Sequence, residues 1–263
     1  MRDRSGHEGS QAIVIGASIA GLLAARVLAD HFDRITIIDR DQLPQEPEVR
    51  AAVPQARHIH VLLVRGQRLL EWLFPGIENE LAAAGATSID WAADTGWFTF
   101  GAWKPRFPSD LTSQLCSRAL LEWIIRRRVA GSSKIRWLAE CDVTALLTDA
   151  YNGRVIGVRL HARGGRSQRL NNPAEAHEDL DEAYADLVVN ASGRDSRAAE
   201  WLTSVGYPAP QETRVNAFLG YASCCYRRPE DLQPEWKALV VSATPPPAVV
   251  GRCWFRSKAS AGW

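Results

Sequence analysis

Hydrophobic residues follow two different patterns near the start of this chain. Residues 12–15 form a short, unbroken apolar run, which is typical of a strand buried on both faces of a parallel sheet. Over residues 19–32 the apolar positions recur instead at helical spacing. A second apolar run follows at residues 35–38. The order strand, helix, strand predicts the opening of an α/β fold.

The turn between the first strand and the helix is rich in glycine. Gly16 permits a tight exit from the strand, Gly21 permits close packing of the helix on the sheet, and Ser18 holds the middle position. The unpaired amides at the start of the helix attract phosphate. Asp39 ends the second strand, where an acid that binds a ribose hydroxyl is expected. An ordinary strand-to-helix turn is the alternative, but the ordered combination favours a dinucleotide site.

Beyond Asp39 the pattern predicts a mixed series of elements. Residues 40–59 are rich in proline and charge and form a long loop, and loops of this length are often functional. Helices are predicted at 61–74, 77–84, 118–129 and 196–205. Strands are predicted within 87–103 and at 135–138, 142–148, 154–160, 186–189, 213–226 and 238–242, with an Asn-Gly hairpin turn at 151–153 and a polar surface excursion at 163–182.

This order predicts a parallel, Rossmann-like nucleotide-binding sheet interrupted by antiparallel β segments. We expect two domains, a nucleotide-binding domain over 11–212 and the start of a β-rich substrate domain over 213–263.

The composition of the chain argues against several classes of binding partner. With 263 residues, 46% hydrophobic residues and a net charge of +1, the chain can bury a core and carries no field that would attract nucleic acid. No apolar run is long enough to span a membrane, and no secretory segment is visible. The odd number of cysteines lacks metal-ligand spacing. We therefore expect a cytoplasmic protein without a metal site.

Five segments together resemble the FAD-dependent monooxygenases of the aromatic hydroxylase and squalene-epoxidase-like class, with the bacterial polyether-type epoxidase branch most similar. The segments occur in the family's order and span most of the chain: GASIAGLLAARVLADHF, VPQARHIHVLL, SRALLEWIIRRRV, VTALLTDAYNGRVIGVRL and DLVVNASGRDSRAAEWL.

The resemblance implies FAD in the glycine-turn site. Asp39 would bind the adenosine ribose, and Arg40 would lie near the adenine. Arg118 matches the family arginine that reaches the FAD phosphate and ribose region, although a solvated helix-end arginine is the alternative. Gly193 matches a turn that helps to hold FAD and NAD(P)H, or it belongs to an ordinary turn. Asn190 stands where relatives keep an acid, which puts the nicotinamide role in doubt.

The resemblance also implies a reaction. Family members reduce FAD with NAD(P)H and use oxygen to epoxidise or hydroxylate a small apolar metabolite. His58, His60 and Trp97 would lie on the substrate side, although the two histidines serve equally well as loop-packing residues and the aromatic segment as core. The alternatives are an FAD-dependent dehydrogenase or reductase of the same fold, such as a prenyl-chain reductase, and a non-catalytic truncated fragment.

The family's second flavin motif, a Gly-Asp followed by a proline turn, is not visible after Ala248. We therefore expect a fold that is incomplete at the C-terminus, with a possible C-terminal half encoded downstream. The tail after Cys253 can be back-translated so that a shifted frame encodes L-V-P-I-E-G-E-R-W, which resembles the family at this point. The hypothesis is an out-of-frame tail, and the nucleotide sequence through and beyond the last codon tests it.

Overall fold

The structure is a computed structural model that describes residues 10–149, 153–163, 182–194, 196–218, 220–224, 226, 234–242 and 251–255. Within them the chain forms two compact units. Unit 1 comprises the described residues of Met1–Glu46, Arg50–Pro54 and Ile125–Leu219, and unit 2 those of Pro47–Val49, Gln55–Ile124 and Gly220–Trp263. The units interleave along the chain, whereas the predicted domains, 11–212 and 213–263, follow one another.

Unit 1 contains a parallel sheet and an antiparallel sheet. Its strands are β1 (Gln11–Ile15), β2 (Arg34–Ile38), β7 (Ile135–Leu138), β8 (Cys141–Thr148), β9 (Val155–Ala162), β10 (Glu182–Tyr184) and β11 (Leu187–Asn190). Its helices are α1 (Ile19–Leu28) and α5 (Ala198–Ser204), together with the second half of α4 (Arg118–Ala130).

The parallel sheet has the strand order β11-β1-β2-β7. The central strand β1 pairs in parallel with β2 on one side and with β11 on the other, so that Ile15 lies opposite both Ile38 and Asn190. Residues Ala12 to Ile15 are buried because the two neighbouring strands and the elements on both faces cover them. The carboxyl ends of the three strands therefore meet at one edge of the sheet, which is where ligands bind in open α/β folds.

The antiparallel sheet of unit 1 has the order β10-β9-β8. Its apolar side chains share one core with the parallel sheet, and the cluster consists of Ile13, Ile15, Ile38, Leu138, Cys141, Val158, Leu160 and Trp201. This shared core fixes the start of β8 beside the carboxyl ends of β1 and β2. The predicted fold class, a Rossmann-like parallel sheet with antiparallel β segments, is confirmed.

Unit 2 also contains two sheets, of orders β13-β12-β4-β5 and β3-β6. Its strands are β3 (Thr87–Asp90), β4 (Thr95–Thr99), β5 (Ala102–Trp103), β6 (Thr112–Leu115), β12 (Ala238–Val241) and β13 (Arg252–Phe255). Its helices are α2 (Val64–Leu73), α3 (Ile77–Ala83) and the first half of α4, together with all but the first residue of a 3-10 turn at Pro54–Arg57.

Several sequence predictions differ from the structure. The strand predicted at 213–226 is wrong, because the described residues of that range form no regular element and are exposed without a pairing strand. Alternation of apolar and polar residues gives a strand only where a neighbour satisfies its backbone. The predicted helix at 61–74 begins only at Val64. The turn residues Tyr151 and Asn152 and most of the polar excursion at 163–182 lie outside the described residues.

Candidate nucleotide-binding site

The turn after β1 is built by two glycines that no other residue can replace without movement. Gly16 has a φ of 105°, and its N–H donates to the Ile38 carbonyl at 2.7 Å. A Cβ at Gly16 would lie 2.5 Å from the Ala191 carbonyl oxygen, and one at Gly21 would lie 1.8 Å from the Gly16 carbonyl oxygen. The turn therefore passes within contact distance of the residues that follow β11 and of its own helix.

Helix α1 begins directly after this turn. Ser18 is extended at the N-cap position, and within the described chain its side chain does not cap the helix. The first turn of α1 contains no acidic residue. The helix start therefore offers backbone donors and the positive end of the helix dipole to an anion.

Asp39 lies at the end of β2, with 8% of its surface exposed. Its Oδ2 accepts a hydrogen bond from the Ala17 N–H at 2.6 Å, and its Oδ1 accepts one from the Asp41 N–H at 2.9 Å. Its Oδ1 also lies 3.1 Å from Nη1 of Arg50. Asp39, which the sequence predicts to bind a ribose hydroxyl, is thus held directly beside the glycine turn.

Arg50 is the second charged side chain at this edge of the sheet, and it is 6% exposed. Its Nη1 lies 3.1 Å from Asp39 and 3.3 Å from Asp41, and its Nη2 donates to the Ala17 carbonyl at 3.3 Å. The Ala52 N–H donates to Asp41 Oδ2 at 3.2 Å. These contacts fasten the middle of the long loop after β2 beside the glycine turn.

A cavity of about 150 Å³ lies at this edge, and the residues that line it belong to unit 1. It brings together Gly16, Ser18, Asp39 and Arg40, four of the residues that the sequence predicts to bind the cofactor. The rest of its lining is Ile15, Ile38, Arg50, Ala52, Val53, Cys141, Asp142, Val143, Ala191, Ser192, Arg197 and Trp201. Gly21 lies within α1, and it shapes the turn without lining the cavity.

One wall of the cavity combines apolar and charged groups from β8 and α5. Trp201 is 6% exposed, and its indole N–H has no hydrogen-bond partner among the described residues. Asp142 forms an ion pair with Arg163 at 2.5 Å, and this hydrogen bond raises the pKa of the Arg163 guanidinium. Burial raises the pKa of the Cys141 thiol, so the neutral thiol is favoured at this wall.

The turn after β11 contributes Ala191 and Ser192 to the cavity lining. Asn190 accepts hydrogen bonds from the Ser192 amide at 3.0 Å and hydroxyl at 2.6 Å, and its own amide donates to Ser196 Oγ at 2.8 Å. Gly193 has a φ of 84°, is exposed and is not among the lining residues. Asn190 therefore acts here as the residue that orders the turn, and the cofactor role of Gly193 stays a prediction.

Arg118 lies in unit 2 at the first position of α4. Its Nη2 donates to Glu122 Oε2 at 3.0 Å, one helical turn further on, and both side chains are largely buried. Arg118 is not among the described residues that line the unit 1 cavity. Its proposed contact with FAD stays a prediction.

The substrate-side candidates also lie in unit 2. His58 Nδ1 lies 3.1 Å from Ser223 Oγ, and His60 Nδ1 lies 2.9 Å from the His58 carbonyl oxygen. Trp97 is 44% exposed and donates from its indole nitrogen to Ser242 Oγ at 3.0 Å. Trp91, by contrast, packs against the core cluster of unit 2 and donates to Ser113 Oγ at 2.8 Å. The aromatic segment therefore contains both core and surface residues.

Neither a metal cluster nor a membrane span emerges from the described residues. No group of three or more His, Cys, Asp or Glu side chains in the described part of the chain is arranged to hold a metal ion. None of the described helices combines the length and the hydropathy needed to cross a bilayer.

Sequence reasoning missed Arg50 and Trp201. The only signal for Arg50 was its place in a long, charged loop, and its contacts depend on how that loop folds. Trp201 lies in a predicted helix. Its packing against the antiparallel sheet, which brings it to the cavity, cannot be predicted from helical periodicity.

The chain is similar to several known proteins, although no protein-family model matches it. It is 38% identical over 249 residues to Protein Rv3254 of Mycobacterium tuberculosis (strain ATCC 25618 / H37Rv), and the match spans 93% of this chain and 50% of that protein. The chain thus covers about half the length of this curated relative.

Two solved structures are similar to the chain at lower sequence identity. The myxobacterial chondrochloren halogenase CndH, a variant of FAD-dependent halogenases, is 18% identical with a TM-score of 0.51 over 73% of this chain and 39% of its own. The Pseudomonas aeruginosa protein PqsL, a probable FAD-dependent monooxygenase, is 16% identical with a TM-score of 0.44 over 58% of this chain and 38% of its own. The likeness to CndH establishes the shared fold.

Proposed function

We propose that unit 1 binds the ADP half of FAD and that the chain contributes to an FAD-dependent oxidoreductase. One observation carries the proposal: the end of β2, with its acid Asp39, and the glycine turn before α1 line the same cavity. A strand, glycine turn, helix and acid-tipped strand in this arrangement bind the pyrophosphate and ribose of dinucleotides.

The cavity residues fit the chemistry of this ligand. The first turn of α1 offers amide donors to the pyrophosphate. Asp39 Oδ2 accepts one hydrogen bond from the described residues, and a carboxylate oxygen can accept a second from a ribose hydroxyl. Trp201 also lines the cavity, and its indole N–H, which has no partner among the described residues, is a donor that a bound ligand can use.

FAD, when bound, supplies the redox chemistry, and the protein supplies binding, orientation and exclusion of water. We favour a monooxygenase that takes electrons from NAD(P)H and epoxidises or hydroxylates a small apolar metabolite. The support is the five-segment resemblance, together with a fold shared with a protein described as an FAD-dependent halogenase.

An apolar substrate suits the surface chemistry of unit 2. Trp97, Phe100 and Trp103 are exposed, and Trp103 packs edge-to-face against Phe98 at a ring-centroid distance of 5.2 Å. Exposed clusters of large apolar residues commonly mark binding surfaces. We propose that this surface, together with His58 and His60 of the same unit, contributes to substrate binding.

The test combines cofactor loading with oxygen chemistry. The purified chain is loaded with FAD, and the oxidation of NADH and of NADPH is followed in an oxygen electrode. Oxygen uptake together with incorporation of one oxygen atom into an added apolar metabolite supports the monooxygenase. NAD(P)H oxidation with an artificial electron acceptor but without incorporation of oxygen favours the dehydrogenase or reductase. Failure of the chain to bind ADP contradicts the proposal that unit 1 holds the ADP half of FAD.

A further inference from the structure

The Arg50 guanidinium forms ion pairs with two carboxylates. Its guanidinium contacts Asp39 at 3.1 Å, Asp41 at 3.3 Å and the Ala17 carbonyl at 3.3 Å, and its side chain is 3% exposed. A buried arginine needs such partners, because removing its charge from water is costly. The carboxylates of Asp39 and Asp41 are hydrogen-bond acceptors, so they favour hydroxyl donors over phosphate.

The hydrogen bonds divide the two oxygens of Asp39 between two tasks. Oδ1 accepts from the Asp41 N–H and from Arg50, which uses both of its acceptor sites. Oδ2 accepts from the Ala17 N–H alone among the described residues, so it retains one acceptor site. Asp39 also lines the cavity, where a ribose would lie.

We propose that Arg50 is a positioning residue: it fixes Asp39 through Oδ1 so that Oδ2 accepts a hydroxyl of the nucleotide ribose. Arg50 acts on the ligand through Asp39 and does not touch the phosphates. The Ala52 N–H, which donates to Asp41 at 3.2 Å, ties the loop to the same cluster. This inference rests on the proposed binding of an ADP moiety.

The competing role for a cavity arginine is direct contact with the pyrophosphate. The two roles predict that different ligands lose affinity when Arg50 is replaced. If Arg50 orients Asp39, its loss weakens only ligands that carry ribose hydroxyls. If Arg50 contacts phosphate, its loss weakens every ligand with a diphosphate, whatever the sugar.

The experiment titrates ADP and 2′,3′-dideoxy-ADP into wild type and Arg50→Gln by calorimetry. We expect wild type to prefer ADP, and Arg50→Gln to weaken ADP about tenfold, as for a lost charge-assisted hydrogen bond. Affinity for the dideoxy ligand should change less than about twofold. Arg159→Gln is the control, because Arg159 is exposed on β9 and pairs with Glu182 at 3.1 Å; it should leave both affinities unchanged.

Equal weakening of both ligands overturns the positioning role while leaving the proposed function intact. Failure of wild type to bind either ligand overturns both. An Arg50→Gln protein without the native circular-dichroism spectrum is replaced by Arg50→Lys, which keeps the charge but lacks the planar fork. A double-mutant cycle of Arg50→Gln with Asp39→Asn in urea unfolding supplies a readout without ligand, and additive effects there also contradict the proposal.

Discussion

The Ala17 N–H donates to Asp39 Oδ2 at 2.6 Å, which joins the glycine turn to the end of the neighbouring strand. This contact forms because β1 and β2 pair in parallel and end at the same sheet edge. A charge-assisted hydrogen bond of this kind is about twice as strong as a neutral one. The glycine turn and the Asp39 carboxylate are therefore fixed relative to each other before any ligand is present.

Replacement of Gly16 by alanine should destabilise unit 1 and weaken ADP binding. The new Cβ would lie 2.5 Å from the Ala191 carbonyl oxygen, and the φ of 105° is itself unfavourable for alanine. Strain of this type costs about 1–3 kcal/mol per site, to which the overlap adds. Urea unfolding followed by circular dichroism measures the loss.

Gly206→Ala is the matched control for the Gly16 prediction. Gly206 has a φ of 91° but nothing within 4 Å of an added Cβ, so the substitution introduces backbone strain without overlap. We expect Gly16→Ala to cost clearly more than Gly206→Ala. Equal costs would mean that the close approach to Ala191 carries no energy.

Trp201 should report on nucleotide binding through its fluorescence. It lines the cavity, and its indole N–H is buried without a partner among the described residues, so a ligand at this wall changes its surroundings. Saturating ADP should change the tryptophan emission of wild type, and Trp201→Phe should abolish most of that change. Trp72→Phe is the control, since Trp72 lies in unit 2 and is 74% exposed. An unaltered response in Trp201→Phe contradicts this placement of the ligand.

Asp90 should make the free energy of unfolding of unit 2 depend on pH in the acidic range. The hydroxyl and then the amide of Ser109 donate to its carboxylate, with smaller contributions from the Ala93 and Ala92 amides, and they lower its pKa from 3.8 to about 2. A lowered folded-state pKa gives stability that is present above pH 3.8 and lost as the pH falls through about 2.

Urea unfolding between these two pH values measures the acid dependence. Asp90→Asn should remove this part of the slope, whereas Asp110→Asn, at a highly exposed side chain, should retain it. A slope that is the same in wild type and Asp90→Asn would refute the assignment.

The aromatic segment of unit 2 should divide into core and surface residues. Trp91 packs edge-to-face on Phe255 at 6.3 Å and bonds to Ser113, so Trp91→Ala should lower the free energy of unfolding by about 3 kcal/mol. Trp97 is largely a surface residue, and Trp97→Ala should cost less than about 1 kcal/mol. Equal costs in urea unfolding would show that Trp97 also belongs to the core.

Helices and strands could be predicted best from the sequence where a regular pattern of apolar residues runs through an element that packs on the core. β1 and β2 were predicted close to their observed bounds, because each has a strong apolar pattern, whereas the helix predicted at 19–32 begins at Ile19 but ends at Leu28. The predicted strand at 213–226 failed because alternation says nothing about whether a partner strand exists. β13 went unpredicted for the related reason that its pairing with β12 is a long-range contact.

The candidate site divides in the same way. Gly16, Ser18 and Asp39 are close in a local motif, and their common cavity follows from strand pairing alone. Arg50 reaches the site only through the fold of an irregular loop, and Trp201 only through the packing of α5 near β8. Such contacts depend on tertiary structure, which local periodicity does not encode.

The most direct measurement of the central claim is calorimetric titration of ADP into wild type and Asp39→Asn. We predict binding of one ADP per chain to wild type, and affinity weakened about tenfold or more in a folded Asp39→Asn protein, since a hydrogen bond to a charged acceptor is lost. Absence of binding to wild type, or equal affinity in both proteins, would contradict the assignment of this cavity to a nucleotide.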